Sequence, residues 1–186
     1  MVTDSSDLEG TTVGVFLAPE GSEEAEFTDP RDAVTDAGGT VDVLGSEPGE
    51  AETVNNDLEP GGSYEIDRTF EDAENEYDAL IVPGGTVGAD TLRTDDDAVD
   101  LLREHRSADK PVAVICHGPW LLVEADVVDG RTLTSYHSLE TDVRNAGGEW
   151  VDEAVVVDDG VITSRNPDDL DAFCETLLKE FSTADS

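Results

Sequence analysis

Short apolar runs alternate along the chain with segments in which apolar residues recur every three or four positions. The runs have the length of buried strands, and the segments between them have helical spacing. The clearest runs are TTVGVFLA (11–18), DALIVPGG (78–85) and PVAVIC (111–116), and the clearest helical segments are 23–39, 94–106 and 169–181. Regular alternation of this kind predicts an α/β fold with a largely parallel sheet.

The length of the chain suits one domain. Its 186 residues are enough for a single substantial core. We expect the domain to cover residues 12–181, with flexible tails at 1–11 and 182–186. Residues 45–63, rich in Gly, Glu, Asn and Pro, predict a surface excursion before a short strand in YEIDRTF.

The amino terminus and the hydropathy bear on localisation. The start of the chain is acidic where a secretion signal carries Lys or Arg, and there is no apolar run of roughly 18 residues. We therefore expect a cytoplasmic protein that does not bind membranes.

The charge balance is extreme. There are 46 Asp and Glu against 10 Lys and Arg, for a formal net charge of -36. Such a chain is a poor ligand for nucleic acid. The acids are spread along the whole chain, which favours a solvated surface adapted to high salt over a local site for basic partners.

Cys116 ends the apolar run AVIC and is followed directly by His117 and Gly118. A sharp turn from strand to helix would project the thiol over the sheet edge, as in a nucleophile elbow. A helix amino terminus can also lower a cysteine pKa from about 8.5 to roughly 3.5–7.5. The alternative is a small core residue at the end of a strand.

Two other loops also follow strands, and ligands in α/β folds bind at the carboxyl ends of strands. Gly84-Gly85 offers bare backbone N–H groups to an oxyanion, and His117 N–H would be a second donor. The first loop carries Glu23, Glu24 and Glu26, one of which could hydrogen-bond to the sulfur; their spacing does not decide which.

The remaining histidines and cysteine carry weaker signals. His105 lies on a charged helical segment and is expected to face solvent, while His137 is a weaker candidate for the pocket. Cys174 is expected on or beside the apolar face of the last helix as a structural residue. The three histidines share no ligand spacing with a cysteine, so no metal site is predicted.

AVICHGPW, with YDALIVPGG upstream and the long run from TSYHSLETDVRNAGG to NPDDLDAF downstream, closely resembles the PfpI family of the ThiJ/PfpI superfamily. The resemblance extends over residues 12–181. It implies a flavodoxin-like three-layer αβα sandwich, shared with class I glutamine amidotransferase domains. It also implies a homo-oligomer, a dimer or larger.

The resemblance assigns roles to particular positions. Cys116 corresponds to the nucleophile and His117 to the adjacent histidine, and Glu23 corresponds to the acid that contacts the sulfur. Gly85 and the His117 N–H correspond to the oxyanion hole. Asp90 is the nearest match to an acid that, in some members, reaches the histidine of a neighbouring subunit; its loop is one residue longer here, and that acid is usually Glu.

These roles imply a cysteine hydrolase that needs no cofactor. The leading hypothesis is a glyoxalase or protein deglycase acting on small carbonyl compounds or on glycated or unfolded protein. An intracellular cysteine peptidase is the alternative with the same nucleophile. A redox-sensing or holdase-like stress protein is an alternative of another class, in which the thiolate is oxidised without turnover.

The acidic composition yields a prediction about stability. Counterions screen the repulsion among the carboxylates, so the melting temperature should rise between low salt and molar salt. Thermal unfolding followed by circular dichroism at both salt concentrations measures this. A melting temperature that does not rise would contradict a halophilic adaptation.

Overall fold

The computed structural model of the protein describes residues 7–74 and 76–184. The strands are β1 (Thr12–Phe16), β2 (Glu20–Glu23), β3 (Thr40–Gly45), β4 (Gly49–Asn55), β5 (Glu59–Ile66), β6 (Arg68–Thr69), β7 (Ala79–Val82), β8 (Val112–Ile115), β9 (Thr132–Leu133), β10 (Glu149–Trp150), β11 (Val155–Asp158) and β12 (Val161–Ser164). The helices are α1 (Glu24–Asp36), α2 (Thr86–Leu92), α3 (Asp96–Ser107), α4 (Pro119–Glu124), α5 (Glu140–Asn145) and α6 (Leu170–Thr183).

A central sheet carries the architecture. Within the described residues it has seven strands in the order β11-β12-β8-β7-β1-β3-β6. All neighbours are parallel except β11 and β12, which form an antiparallel edge pair. The largely parallel sheet predicted from the apolar runs is therefore confirmed.

The two faces of the sheet bury separate apolar cores. Along β8, Val112 and Val114 belong to one core, and Ala113 and Ile115 belong to the other. Successive side chains of a strand point to opposite faces, so a strand buried on both faces has no polar alternation. This explains why the strands appear in the sequence as continuous apolar runs.

Helices cover both faces. Apolar residues of α1 and α6 pack into the core that contains Ile115, and those of α2, α3, α4 and α5 pack into the core that contains Val114. The result is the three-layer αβα sandwich implied by the resemblance.

A second, smaller sheet forms where a surface excursion was predicted. Strands β4 and β5 make an antiparallel hairpin, and β4 pairs in parallel with β2 just before α1. The hairpin turns at Asn56 and Asp57, whose φ angles are +53° and +62°. Asn and Asp tolerate this left-handed conformation better than other non-glycine residues, which is why the chain reverses there.

Two expectations from the sequence are wrong. Leu8, placed in a flexible tail, is 0% exposed, and its N–H donates to Ala37 O at 2.9 Å. His105, expected to face solvent, is buried on the same face of α3 as Leu101 and Leu102, and its Nε2 lies 2.9 Å from Pro111 O. Burial lowers the pKa of His105 to about 4, so the imidazole is neutral at physiological pH.

The ends of the chain also differ from the expectation. Helix α6 continues to Thr183, past the predicted boundary at residue 181. Residues 1–6, 185 and 186, which belong to the predicted tails, lie outside the described residues. In the part of the chain that is described, no helix is both long and apolar enough to cross a bilayer.

The buried position of Leu8 yields a stability prediction. Leu8→Ala should lower the free energy of unfolding by about 2–5 kcal/mol, because a cavity would open in the core that also contains Phe27 and Val34. Leu58→Ala is the matched control, since Leu58 is 90% exposed. Urea unfolding in molar salt measures both variants, and equal effects would contradict the burial of residue 8.

Candidate active site

Cys116 lies at the junction between β8 and the turn into α4, with φ at +64°. A non-glycine residue in this conformation is strained by roughly 1–3 kcal/mol. Two backbone hydrogen bonds hold it: Cys116 N donates to Ser164 O at 3.0 Å, and Cys116 O accepts from Tyr136 N at 2.8 Å. The sharp strand-to-helix turn predicted from the sequence is confirmed.

Glycine makes the turn possible on both sides of the sulfur. A Cβ on Gly118 would lie 2.7 Å from Val114 Cγ1 and 2.9 Å from Ile115 O. A Cβ on Gly84 would lie 2.5 Å from Glu26 Oε1 and 2.6 Å from Cys116 Cβ. Both glycines are therefore required by close packing around the nucleophile position.

The sulfur environment differs from the one expected at a helix amino terminus. Cys116 is only 7% exposed, and α4 is only six residues long. Burial raises the pKa of the Cys116 thiol, and the negative charge of an ionised Glu26 raises it further, while hydrogen bonds from the Gly85 and His117 N–H groups lower it. Desolvation of the sulfur outweighs the amides, so the shift is opposite in direction to the one that a helix amino terminus favours.

The carboxyl beside the sulfur belongs to Glu26. It is 0% exposed, and its Oε1 accepts from Gly84 N at 3.0 Å. Burial, and then the nearby charge of Glu23, raise the pKa of Glu26 to about 8, while its interaction with the Cys116 thiol opposes the shift. Glu26 is therefore largely protonated at neutral pH, as a hydrogen-bond donor to a sulfur anion must be.

Glu23, assigned to this role from the sequence, has another partner. Its Oε1 accepts from Asn56 N at 2.6 Å and its Oε2 from Asp57 N at 3.1 Å. Glu23 precedes α1 as its N-cap residue, whereas Glu26 lies one turn further on the buried face of the helix. The side chain that contacts the sulfur is thus set by helical phase, and the expectation for Glu23 is corrected.

His117 lies against the thiol despite being its neighbour in sequence. Its Nδ1 is 3.3 Å from Cys116 Sγ, and its Nε2 is 3.4 Å from Thr86 Oγ1. The imidazole stacks on Tyr136, with ring centroids 4.6 Å apart, and meets the edge of Trp120 at 5.2 Å. Burial lowers the pKa of His117, with Asp57 opposing the shift, so the ring is a neutral base at physiological pH.

A cavity of about 260 Å³ opens over the sulfur. It is lined by Glu23, Glu26, Asn56, Asp57, Gly85, Cys116, Tyr136 and Pro167. A second cavity of about 450 Å³ adjoins it at Asp57, and the exposed side chains of Leu58 and Val87 line that space. The thiol is therefore reached through a small polar cavity that continues into a wider groove.

The other predicted residues lie outside this cavity. Asp90 is on an exposed face of α2 and does not line the cavity. His137 is exposed and contacts Tyr136, with ring centroids 4.4 Å apart. Cys174 is partly buried on α6, where burial raises its pKa to about 12.

Sequence patterns differ in what they say about the site residues that were left open or missed. Glu26 was one of three candidate acids, whereas Asp57 and Thr86 were not predicted. Glu26 shares its face of α1 with Phe27, Pro30 and Val34, and this apolar spacing is a signal that could have identified it. Asp57 lies in the turn between β4 and β5 and Thr86 at the start of α2, 29 residues away. No local pattern could have brought them to His117. In residues 7–74 and 76–184, no group of three or more His, Cys, Asp or Glu is arranged to hold a metal ion.

Comparison with known proteins agrees with this geometry. The profile of the DJ-1/PfpI family matches residues 11–180. The chain is 42% identical over 169 residues to protein/nucleic acid deglycase 2 of Escherichia coli K12, covering 90% of this chain and 95% of that one. It is 37% identical over 158 residues to the putative cysteine protease YraA of Bacillus subtilis 168, covering 84% and 90% respectively.

Among solved structures, the fold matches a two-domain protein from Anabaena variabilis with DJ-1/ThiJ/PfpI-like and ferritin-like domains, at a TM-score of 0.85 and 34% identity. The match covers 91% of this chain and 47% of that chain. The mixed α/β sandwich, the buried cysteine at its strand end and the matched profile lead to one conclusion: the chain belongs to the DJ-1/PfpI family.

Proposed function

We propose that the protein is a cofactor-independent cysteine hydrolase that detoxifies reactive carbonyls, such as methylglyoxal, or the early adducts that they form on proteins. The observation that carries this proposal is the contact between a buried thiol and a neutral imidazole at 3.3 Å, in a cavity of about 260 Å³. The relative named as a deglycase adds support.

The first step is addition of the thiol to the aldehyde carbon. As the bond between sulfur and carbon forms, the S–H proton passes to His117 Nδ1, which suits a thiol whose pKa is raised by burial. The carbonyl oxygen becomes an oxyanion. The N–H groups of Gly85 and His117, which donate to the sulfur in the free protein, are positioned to stabilise it.

The later steps need no external oxidant. A proton shifts from the former aldehyde carbon to the neighbouring carbon, and the oxygen of that neighbouring carbon takes the proton held by His117. The first carbon is thereby oxidised, the second is reduced, and a thioester of a hydroxy acid results. Water then hydrolyses the thioester and regenerates the Cys116 thiol. The net change is addition of one water molecule to the substrate.

The cavity of about 260 Å³ over the sulfur suits a small carbonyl. A peptidase must also protonate an amine leaving group through a well-placed acid. The predicted acid Asp90 does not line the cavity of its own chain. The similarity to a putative cysteine protease keeps peptide cleavage as the second candidate, to be assayed in parallel.

The same geometry favours a redox-sensing role for Cys116 less than a hydrolytic one. Oxidation of a cysteine to sulfenic and sulfinic acid is fastest for exposed cysteines with a low pKa. Cys116 is 7% exposed, and its pKa is raised. These observations favour a hydrolase that acts on small carbonyls or glycated protein over a redox sensor. We expect it to be a cytoplasmic, stress-protective homo-oligomer.

Cys116→Ala should reduce consumption of methylglyoxal to the level of buffer, because the nucleophile is lost. Cys174→Ala is the matched control and should keep wild-type activity, since Cys174 lies outside the cavity. The measurement is loss of methylglyoxal and appearance of hydroxy acid in molar salt, with a fluorogenic peptide in parallel. Full turnover by Cys116→Ala would overturn the proposal, and peptide cleavage alone would favour the peptidase.

Glu26 should determine an alkaline limit of activity. As the pH rises through about 8, Glu26 loses its proton, and its charge then opposes the anionic transition state at the sulfur. The value of kcat/KM should fall above that pH in the wild type, and the fall should disappear in Glu26→Gln. Rates between pH 6 and 9.5 measure this, with the folded state followed by circular dichroism.

Glu104→Gln is the control for the Glu26 variant. It removes the same charge from an exposed position of α3, far from the cavity, and should leave the alkaline limb in place. If Glu26→Gln keeps the wild-type fall in kcat/KM at alkaline pH, the group that titrates is not Glu26.

A further inference from the structure

Polar contacts connect the His117 imidazole, through Thr86, to Asp57. His117 Nε2 lies 3.4 Å from Thr86 Oγ1, and Thr86 Oγ1 lies 3.1 Å from Asp57 Oδ2. Asp57 Oδ1 also accepts from Thr86 N at 2.8 Å. Catalytic hydrogen bonds of a free enzyme are often long and shorten when substrate binds. Polar contacts thus connect Cys116 to Asp57 by way of His117 and Thr86.

The chemistry of these groups sets the direction of each hydrogen bond. A carboxylate accepts and does not donate, so the Thr86 hydroxyl must donate its proton to Asp57. The Thr86 oxygen then offers a lone pair to His117 Nε2, which must carry the imidazole proton. Nδ1 is left with a lone pair facing the thiol, as a base that takes the S–H proton requires.

Asp57 is held for this contact by the hairpin turn. Asn56 and Asp57 both have left-handed backbone conformations, and their N–H groups donate to the two carboxylate oxygens of Glu23. Glu23, which does not contact the sulfur, thus anchors the turn that presents Asp57. The negative charge of Asp57 also opposes the effect of burial on the pKa of His117.

We propose that Asp57 and Thr86 are positioning residues that fix His117 in the tautomer with the proton on Nε2, so that Nδ1 is free to accept the proton of Cys116. The acid of the site is supplied within one chain by the turn between β4 and β5. The resemblance instead implied an acid from a neighbouring subunit, with Asp90 as its nearest match. The catalytic consequence rests on the proposed function, whereas the tautomer does not.

The tautomer is directly measurable. The chain has only three histidines, and long-range correlation of ring protons with ¹⁵N nuclei distinguishes protonated from unprotonated nitrogens. The His117 signals are assigned by their absence in His117→Gln. In ¹⁵N-labelled wild type at pH 7.5 and molar salt, we expect Nε2 protonated and Nδ1 unprotonated.

Asp57→Asn should reverse this tautomer. Thr86 N–H holds the carbonyl oxygen of the new amide, as it holds Asp57 Oδ1, so the NH₂ group would face the Thr86 hydroxyl and donate to it. The hydroxyl would then donate to Nε2, and the imidazole proton would move to Nδ1. We expect kcat/KM for methylglyoxal to fall by about 10²-fold or more, because the base toward the thiol is lost.

Substitutions at Thr86 separate the hydroxyl from the shape of the side chain. Thr86→Val is nearly isosteric and should give mixed tautomers with roughly tenfold lower kcat/KM. Thr86→Ser keeps the hydroxyl and should keep the wild-type tautomer and kcat/KM. Glu59→Gln removes an exposed charge from the same hairpin and should match the wild type.

The outcomes distinguish the two proposals. A wild-type His117 protonated on Nδ1 would overturn the role of Asp57 and Thr86, and so would a tautomer unchanged in both Asp57→Asn and Thr86→Val. If wild type consumes no carbonyl, the proposed function fails, but the tautomers of the same samples still decide the positioning role. The positioning role would be established if Asp57→Asn reversed the His117 tautomer and if Thr86→Ser, unlike Thr86→Val, kept the wild-type tautomer and kcat/KM.

Discussion

The strained backbone of Cys116 is the constraint on which the site depends. A φ of +64° turns the side chain away from the direction of β8 and places the sulfur under the amides of Gly85 and His117. Hydrogen bonds to Ser164 and from Tyr136 hold the backbone in this conformation. The parallel sheet thus supplies the rigidity, and the glycines on either side supply the space.

Three groups of the buried site favour their uncharged forms: the Cys116 thiol, Glu26 and His117. Burial raises the pKa of the thiol and of Glu26 and lowers that of His117, so all three groups favour their uncharged forms near neutral pH. These three groups are thus largely uncharged, while the carboxylates of Glu23 and Asp57 line the same cavity. In the proposed mechanism, the proton transfer from sulfur to imidazole spans one short contact and creates charge on these groups only as the substrate reacts.

The central sheet and the sheet of β2, β4 and β5 have separate tasks in this arrangement. The central sheet fixes Cys116 and the Gly84-Gly85 turn, which lie at the ends of adjacent strands. The smaller sheet of β2, β4 and β5 brings the turn at Asp57 to the start of α2 and ties it to Glu23. The nucleophile is thus held by the core of the fold and the histidine by a surface element added to it.

The sequence by itself determined the fold class and the position of the candidate nucleophile. Strands buried on both faces must be continuously apolar, and a cysteine followed by glycine at the end of such a strand lies where α/β folds bind ligands. The Gly85 and His117 amides were also correctly placed beside the sulfur, because they belong to the turns that end β7 and β8.

Tertiary structure decided which polar groups reach that sulfur. The phase of α1 selects Glu26 over Glu23, and packing around β8 buries the thiol enough to raise its pKa, against the expectation from a helix amino terminus. The contact of Asp57 with Thr86 joins a hairpin turn to the start of α2, which is distant in sequence. The burial of His105 depends on which face of α3 meets the sheet. The local sequence determines whether a segment forms a helix or a strand. Long-range packing alone determines which elements come into contact and how far each side chain is shielded from water.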